Sequence, residues 1–411
     1  MTNDENSVLN EPMTNDETSV LDDVKGWLRD RGLTKSNIKS YKYWVPYTVA
    51  NGRAWTPQSV TFELTLRCNL SCQMCPLDLP RIMHDKSDSE FIKERQHEEL
   101  STEEVKKVID DIAEMGVQDM TITGGEVFLR KDVFEIIEHI TRTPIHLCVN
   151  TNGWFLRPEE ARRLVALKPH ALSVSIDGPD DLHDEIRRGK GSFRRLLEGI
   201  RNIQNAKKEL GVRRPKIGIT VTVSALNQHR YSEVLDWLKD TGVDTVDFDY
   251  MFYTTPEHNR QTEELIPLPV HRKEEDQDLP MYLRQVNGQT LYEESQKAIQ
   301  KGEEYDIPVG FGPPLKTPEQ MERRFLDDEY AFVEKCFYPW KTFRISPYGD
   351  VYSCSIDVAF GNVRQSSVKE IWNNDSYQVF RRALKKRRLF PKCAKCCALN
   401  NDFWRYLPTI G

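Results

Sequence analysis

The chain has 411 residues, 38% hydrophobic and 29% charged, enough for a large core and a smaller one. A formal net charge of -7 argues against general nucleic-acid binding. No apolar run reaches the roughly 20 residues of a membrane helix, and the N-terminus MTNDENSVLNEP lacks the basic and apolar regions of a secretory signal, which points to the cytoplasm.

The opening MTNDENSVLNEP nearly recurs as MTNDETSVLDDV, a polar duplication too short for a structural repeat. Residues 21–58 read as a short helix and an irregular aromatic segment, so 1–58 is expected to be a polar N-terminal extension. Strands are then expected over 60–66, 118–123, 145–150, 171–177, 217–224 and 244–250. Helical stretches separate them, one opened by the capping-box pattern Ser101-Thr-Glu-Glu104. Six βα units in series predict an α/β fold with a parallel sheet and helices outside.

The strands alternate in an unusual way. Glu63 and Thr65 oppose Phe62 and Leu64; Thr121 and Thr123 flank Ile122; Ser173, Ser175 and Asp177 flank Val174 and Ile176. Thr220 and Thr222 alternate with Ile219 and Val221, and Asp247 and Asp249 with Val246 and Phe248. Parallel strands are usually apolar on both faces, so these polar faces are expected to line a ligand cavity. Residues 78–98 form a charged insertion, and 252–281, rich in Pro and charge, read as a loop or lid. A helix near 290–303 and a strand near 307–311 end the core, which is placed at 59–315; 316–411 form a cysteine-rich domain. The run RRALKKRR from Arg381 to Arg388 reads as the C-terminal part of a helix with solvated charges.

Nine cysteines in a cytoplasmic chain do not suggest a disulfide framework. Three fall in Cys68-Asn-Leu-Ser-Cys72-Gln-Met-Cys75, just after the first strand. Five lie beyond residue 335, and Cys148 stands apart as a small apolar filler. Two groups suggest two metal sites. Three thiols on one tight loop suit a [4Fe–4S] cluster with one iron left open; zinc would need a fourth ligand, and the nearest histidine is His84 across the insertion.

On this Cys-x3-Cys-x2-Cys motif, residues 59–251 resemble the radical S-adenosylmethionine (SAM) enzymes. The resemblance implies a partial (β/α)6 TIM-type barrel. It also implies a cluster on Cys68, Cys72 and Cys75 whose open iron chelates the amino and carboxylate groups of SAM. In that family, electron transfer cleaves SAM to methionine and a 5′-deoxyadenosyl radical that abstracts substrate hydrogen. Thr123-Gly124-Gly125-Glu126 resembles the Gly-Gly-Glu motif, whose backbone and glutamate bind the SAM amino group; Val127 stands where proline is usual. Ser175-Ile-Asp177-Gly178 resembles the ribose and methionine contact region. Arg187, in HDEIRRGKGSF, is the implied partner of the SAM carboxylate, the alternative being a solvated helix position. Asn150 and Asn152 in CVNTNG end the third strand and are further implied cofactor contacts. No catalytic acid or base stands out.

In the C-terminal segment, Gly349-Asp350 reads as a hairpin turn bringing Cys336 and Cys354 together, with Cys393-x2-Cys396 completing four thiols. The segment resembles the small β-hairpin/helix SPASM/twitch extension, implying one auxiliary [4Fe–4S] cluster; Cys397 is the alternative to Cys396, and zinc the alternative metal. Four ligands favour electron transfer. The expected enzyme oxidises or rearranges a small molecule in a biosynthetic pathway, consumes SAM, passes an electron to the auxiliary cluster and is served by a flavodoxin- or ferredoxin-type reductant. Modification of a short ribosomal peptide and a non-enzymatic iron–sulfur electron carrier are the alternatives. Neither nucleic acid nor membrane is an expected partner.

Overall fold

The computed structural model describes residues 43, 45–75, 98–269, 281–356 and 358–399. Strands β1 (Ser59–Thr65), β2 (Asp119–Gly124), β3 (His146–Thr151), β4 (Ala171–Ser175), β5 (Lys216–Val223), β6 (Thr245–Tyr250) and β7 (Val309–Gly312) pair in parallel, in chain order. Between them run α1 (Thr102–Glu114), α2 (Val133–Thr141), α3 (Pro158–Leu167), α4 (Asp180–Arg187), α5 (Ser192–Leu210) and α6 (Val234–Leu238). This is the partial TIM-type barrel that the alternating pattern and the resemblance imply.

Burial explains the odd strands. Phe62, Ile122, Val149, Val174, Ile219 and Phe248 are fully buried in the core, whereas Thr121, Asn150, Ser173, Thr220 and Asp247, alternating with them, are half-buried. A helix-covered apolar face and an accessible polar face follow directly from a period of two. The α1 capping box forms as expected: Glu104 N–H donates to Ser101 Oγ at 3.3 Å, and Ser101 N–H to Glu104 Oε2 at 2.8 Å.

The segment expected to be a loop over 252–281 is partly helical. Helix α7 (Pro256–Leu265) starts where Thr255 Oγ1 accepts the His258 N–H at 3.1 Å, with Pro256 at the first helical position. Residues 270–280, the insertion over 78–97, and the polar leader over 1–42 lie outside the described residues. Helices α8 (Gly288–Glu304), α9 (Pro318–Leu326) and α10 (Tyr338–Lys341) follow.

The C-terminal strands do not form a separate sheet. Strand β8 (Thr342–Ile345) pairs in parallel with β1, from Ser59 opposite Thr342 to Phe62 opposite Ile345. It then pairs antiparallel with β9 (Asp350–Tyr352), which pairs with β10 (Ala359–Asn362). The hairpin turns as expected at Gly349, whose φ of 90° is in the left-handed region. One ten-stranded sheet, ordered β10-β9-β8-β1-β2-β3-β4-β5-β6-β7, thus joins both cysteine regions.

Helices α11 (Val368–Trp372) and α12 (Asp375–Arg387) complete the described chain, and α12 carries most of RRALKKRR. Its first arginine departs from the expected solvated role. Arg381 is 0% exposed, donates Nε–H to Pro339 O at 2.8 Å and lies 4.0 Å over the Tyr377 ring. Among the described residues, no helix is long and apolar enough to cross a membrane.

Candidate active site

The root of the cysteine loop is fixed by β2. Gly125 N–H donates to Thr65 O and Glu126 N–H to Arg67 O, both at 2.8 Å, immediately before Cys68. A Cβ on Gly124 would run into Thr65 O, and one on Gly125 into Arg67 O, so only glycine allows the two backbones to meet. Glu126 is 1% exposed. Its Oε1 accepts from Phe128 N–H (3.2 Å) and Thr151 Oγ1–H (2.8 Å), and Oε2 from Asn152 N–H (2.8 Å). Burial pushes its pKa up while these donors pull it back. The carboxylate mainly ties β2 to β3; of the four lone pairs it offers, one on Oε2 remains.

Asn152 Nδ2 donates to Oδ1 of Asn69, inside the cysteine loop, at 2.9 Å, and the Asn69 Nδ2 is itself buried without a partner. Asn150 Nδ2 donates to Thr123 Oγ1 at 3.1 Å. Ser175 is half-buried at the end of β4, on the polar face. From the other side, Gln73 N–H donates to Ile186 O (2.9 Å) and Gln73 Nε2 to Glu185 O (3.1 Å), so the end of α4 holds the loop.

Arg187 sits at that helix end, 8% exposed, which removes the solvated alternative. Its Nε donates to Asp177 Oδ2 at 2.6 Å; Asp177 is 0% exposed, and its Oδ1 accepts the Thr222 N–H at 2.9 Å. The Asp177 carboxylate is thus enclosed between Arg187 and the β5 backbone. Asn227 Nδ2 (2.8 Å to Asp177 O) and His183 Nδ1 (3.2 Å from Asp177 N) brace the same backbone. Burial works against the Arg187 charge, but Asp177, Cys72 and Cys75 hold its pKa above the ordinary value.

All nine cysteines are outside disulfides. Burial pushes the Cys68 thiol up to about 12, opposed by the Leu70 N–H and reinforced by Cys72, Glu126 and Cys75. Burial also raises Cys72, opposed chiefly by Arg187. Cys148, on the lumen side of β3, is raised to about 11 by burial, as suits a packed neutral thiol. Among the described residues, no three His, Cys, Asp or Glu side chains converge on a site for a single ion. Three thiols on one loop, beside the unpartnered Asn69 amide and a buried guanidinium, are a donor set that fits a cluster with one open iron.

The second set assembles around the hairpin. Cys393 interacts electrostatically with Cys354, and Cys396 with Cys336 and Cys393, while Tyr338 feels both Cys354 and Cys396. Burial pushes Cys393 up to about 12. Cys397 hydrogen-bonds Cys396 and lies beside Asp249, on the polar side of β6, and Arg324. The thiols of Cys336, Cys354 and Cys393, with the hydrogen-bonded pair Cys396 and Cys397, are a donor set that fits an auxiliary cluster.

Sequence reasoning passed over Asn69, His183, Asn227 and Arg324. Asn69 was readable from its place inside the cysteine motif. Arg324 shares the buried face of α9 with Met321 and Phe325, three residues after one and one before the other, a phase that marks an inward position.

The profile of the radical SAM superfamily matches residues 62–238, and that of the SPASM iron–sulfur cluster-binding domain matches 336–397. The AdoMet-dependent heme synthase of Methanosarcina barkeri is 29% identical over 357 residues, covering 83% of this chain and 88% of that protein. The mycofactocin maturase MftC of Mycolicibacterium smegmatis is 33% identical over 172 residues, 42% of this chain and 40% of its own. Streptococcus suis SuiB bound to the precursor peptide SuiA shares the fold, with a TM-score of 0.56 at 11% identity over 92% of this chain and 74% of its own. The domain pair implies a [4Fe–4S] cluster and an auxiliary cluster, and structures of this fold bind SAM. The chain thus carries a radical SAM domain over residues 62–238, followed by a C-terminal SPASM domain over 336–397.

Proposed function

We propose that the chain is an enzyme that oxidises a small molecule held in the barrel lumen, with SAM as co-substrate. The observation that carries this reading is that one polar strand face meets both thiol sets: β1 runs into Cys68, and Asp249 of β6 lies beside Cys397. Cys68, Cys72 and Cys75 would hold the SAM-binding cluster, and Cys336, Cys354, Cys393 and Cys396 the auxiliary one. When bound, the first cluster with SAM would supply radical chemistry for hydrogen abstraction, and the second would supply an electron acceptor.

The chain's own residues bind and orient. Arg187, steered by Asp177, offers its remaining N–H groups to the SAM carboxylate. The Gly124–Gly125 backbone and Glu126 hold the cysteine loop in place, and Asn150, Asn152 and Ser175, at the ends of β3 and β4, would serve the rest of SAM. The buried surroundings keep water from a reactive intermediate. A flavodoxin- or ferredoxin-type protein is the proposed electron source. The match along most of a heme synthase supports a small-molecule substrate. Peptide maturation is the second reading, favoured by barrel-length likeness to MftC and to the Bacillus subtilis maturation protein SkfB, which is 31% identical over 189 residues.

Anaerobic reconstitution followed by SAM and dithionite tests the reading. Wild type is expected to hold two clusters and release 5′-deoxyadenosine. Cys68→Ala keeps one cluster and releases none, Cys396→Ala loses the auxiliary cluster, and Cys397→Ala keeps both. Release of 5′-deoxyadenosine by Cys68→Ala would overturn it. Stimulation by a precursor peptide rather than by small molecules would move the assignment to the second reading.

A further inference from the structure

Three cations are buried between α9 and the Cys393–Cys396 turn: Arg284, Arg324 and Lys395. Two leave no buried nitrogen unpaired. Lys395 gives its Nζ hydrogens to the carbonyls of Arg323 (3.2 Å), Asp327 and Tyr330 (2.9 Å), using all three an ammonium has. Arg284 binds Phe325 O (3.2 Å) and the Asp328 carboxylate.

Arg324 is different. It is 1% exposed, and its Nη2 donates to Met251 O (3.0 Å), just past β6, and to Lys395 O, the carbonyl of the peptide unit leading into Cys396. Its Nε and Nη1 are buried with no partner. Unpaired buried donors on a charged group are costly, so a native structure ordinarily supplies an acceptor. The acidic groups acting on this guanidinium are the Tyr253 and Tyr250 phenols and the Cys397 and Cys396 thiols. Only the thiol site is expected to carry negative charge at neutral pH, once iron is bound.

We propose that Arg324 donates its Nε–H and Nη1–H to sulfur of the auxiliary cluster and, by its fixed charge, makes that cluster a better electron acceptor. This rests on reading Cys336, Cys354, Cys393 and Cys396 as one cluster's ligands. Uptake of one electron adds one negative charge and brings no proton. A guanidinium that stays protonated stabilises the reduced form more than the oxidised one, and N–H to sulfur bonds act in the same sense. Arg324 is thus a tuning residue.

The test is an EPR-monitored redox titration of the full chain carrying Cys68→Ala, Cys72→Ala and Cys75→Ala, so that only the auxiliary cluster is seen. Arg324→Gln is expected to lower the reduction equilibrium constant at least tenfold, which is about 59 mV for one electron. Arg324→Lys, which keeps the charge and loses the fork, is expected to fall between. An unchanged potential in Arg324→Gln overturns the inference. Absence of any cluster while Arg324 is intact overturns the ligand reading and the inference with it. Should Arg324→Gln not fold, pulsed EPR of protein labelled with 15N-arginine is expected to show a weakly coupled nitrogen that Arg324→Lys lacks. No such coupling in the labelled protein also overturns the proposal.

Discussion

Asp177 and Arg187 form the kind of pair whose value lies in not being broken. With Asp177 at 0% exposure, Arg187→Met leaves a buried carboxylate facing only the Thr222 N–H, and we expect a loss of about 3–5 kcal/mol. The double variant Arg187→Met with Asp177→Asn should lose less than the two single changes together, read from denaturant melts of the metal-free chain. Arg187→Lys, which keeps the charge but not the fork, should weaken SAM binding at least tenfold by calorimetry. Gly125→Ala forces a methyl against Arg67 O, and backbone cannot step aside as a side chain would. A destabilisation of about 1–3 kcal/mol and reduced iron loading beside an unchanged auxiliary site are expected, by melts and EPR. None of this was visible in the letters GGE alone, which signal a turn as readily as a contact between two loops.

At the level of elements, the helix start Ser101-Thr-Glu-Glu104 was legible because a cap is a local signal. Its tertiary use was not. Arg364, far along the chain, donates Nε–H to Glu104 Oε1 at 2.7 Å and Nη2–H to Oε2 at 3.2 Å, clamping the hairpin region onto α1. The Arg364 bond is the main reason Glu104 is held at about 2. A depressed carboxylate stabilises the fold above its ordinary value of 4.5, and that contribution is lost as pH falls toward about 2. Glu104→Gln should therefore remove part of the pH dependence of the metal-free chain between those limits, measured by urea midpoints. The groups are over a third exposed, so the effect should be small. Helix α7 was hidden for the opposite reason: the charge and proline around it suggested a loop, although Thr255-Pro256 is itself a helix start.

At the scale of the molecule, the strand order, the polar lumen and the two thiol sets were legible because each repeats a simple period or spacing. The join between barrel and C-terminal segment was not. Nothing in Thr342–Ile345 says that its neighbour is β1 rather than another strand of its own region, since pairing partners distant in sequence leave no local mark. Truncation at 315 should uncover the β1 edge, and we expect the shortened chain to aggregate by light scattering where the full chain stays monodisperse. The same pairing has a bearing on how the protein is made. β1 is the first strand of the sheet to leave the ribosome, yet β8, its neighbour on the side away from β2, arrives only after the entire barrel has been synthesised. Assembly therefore has a built-in order, with the barrel wound first and its open side sealed last, by the same stretch of chain that delivers the final thiols.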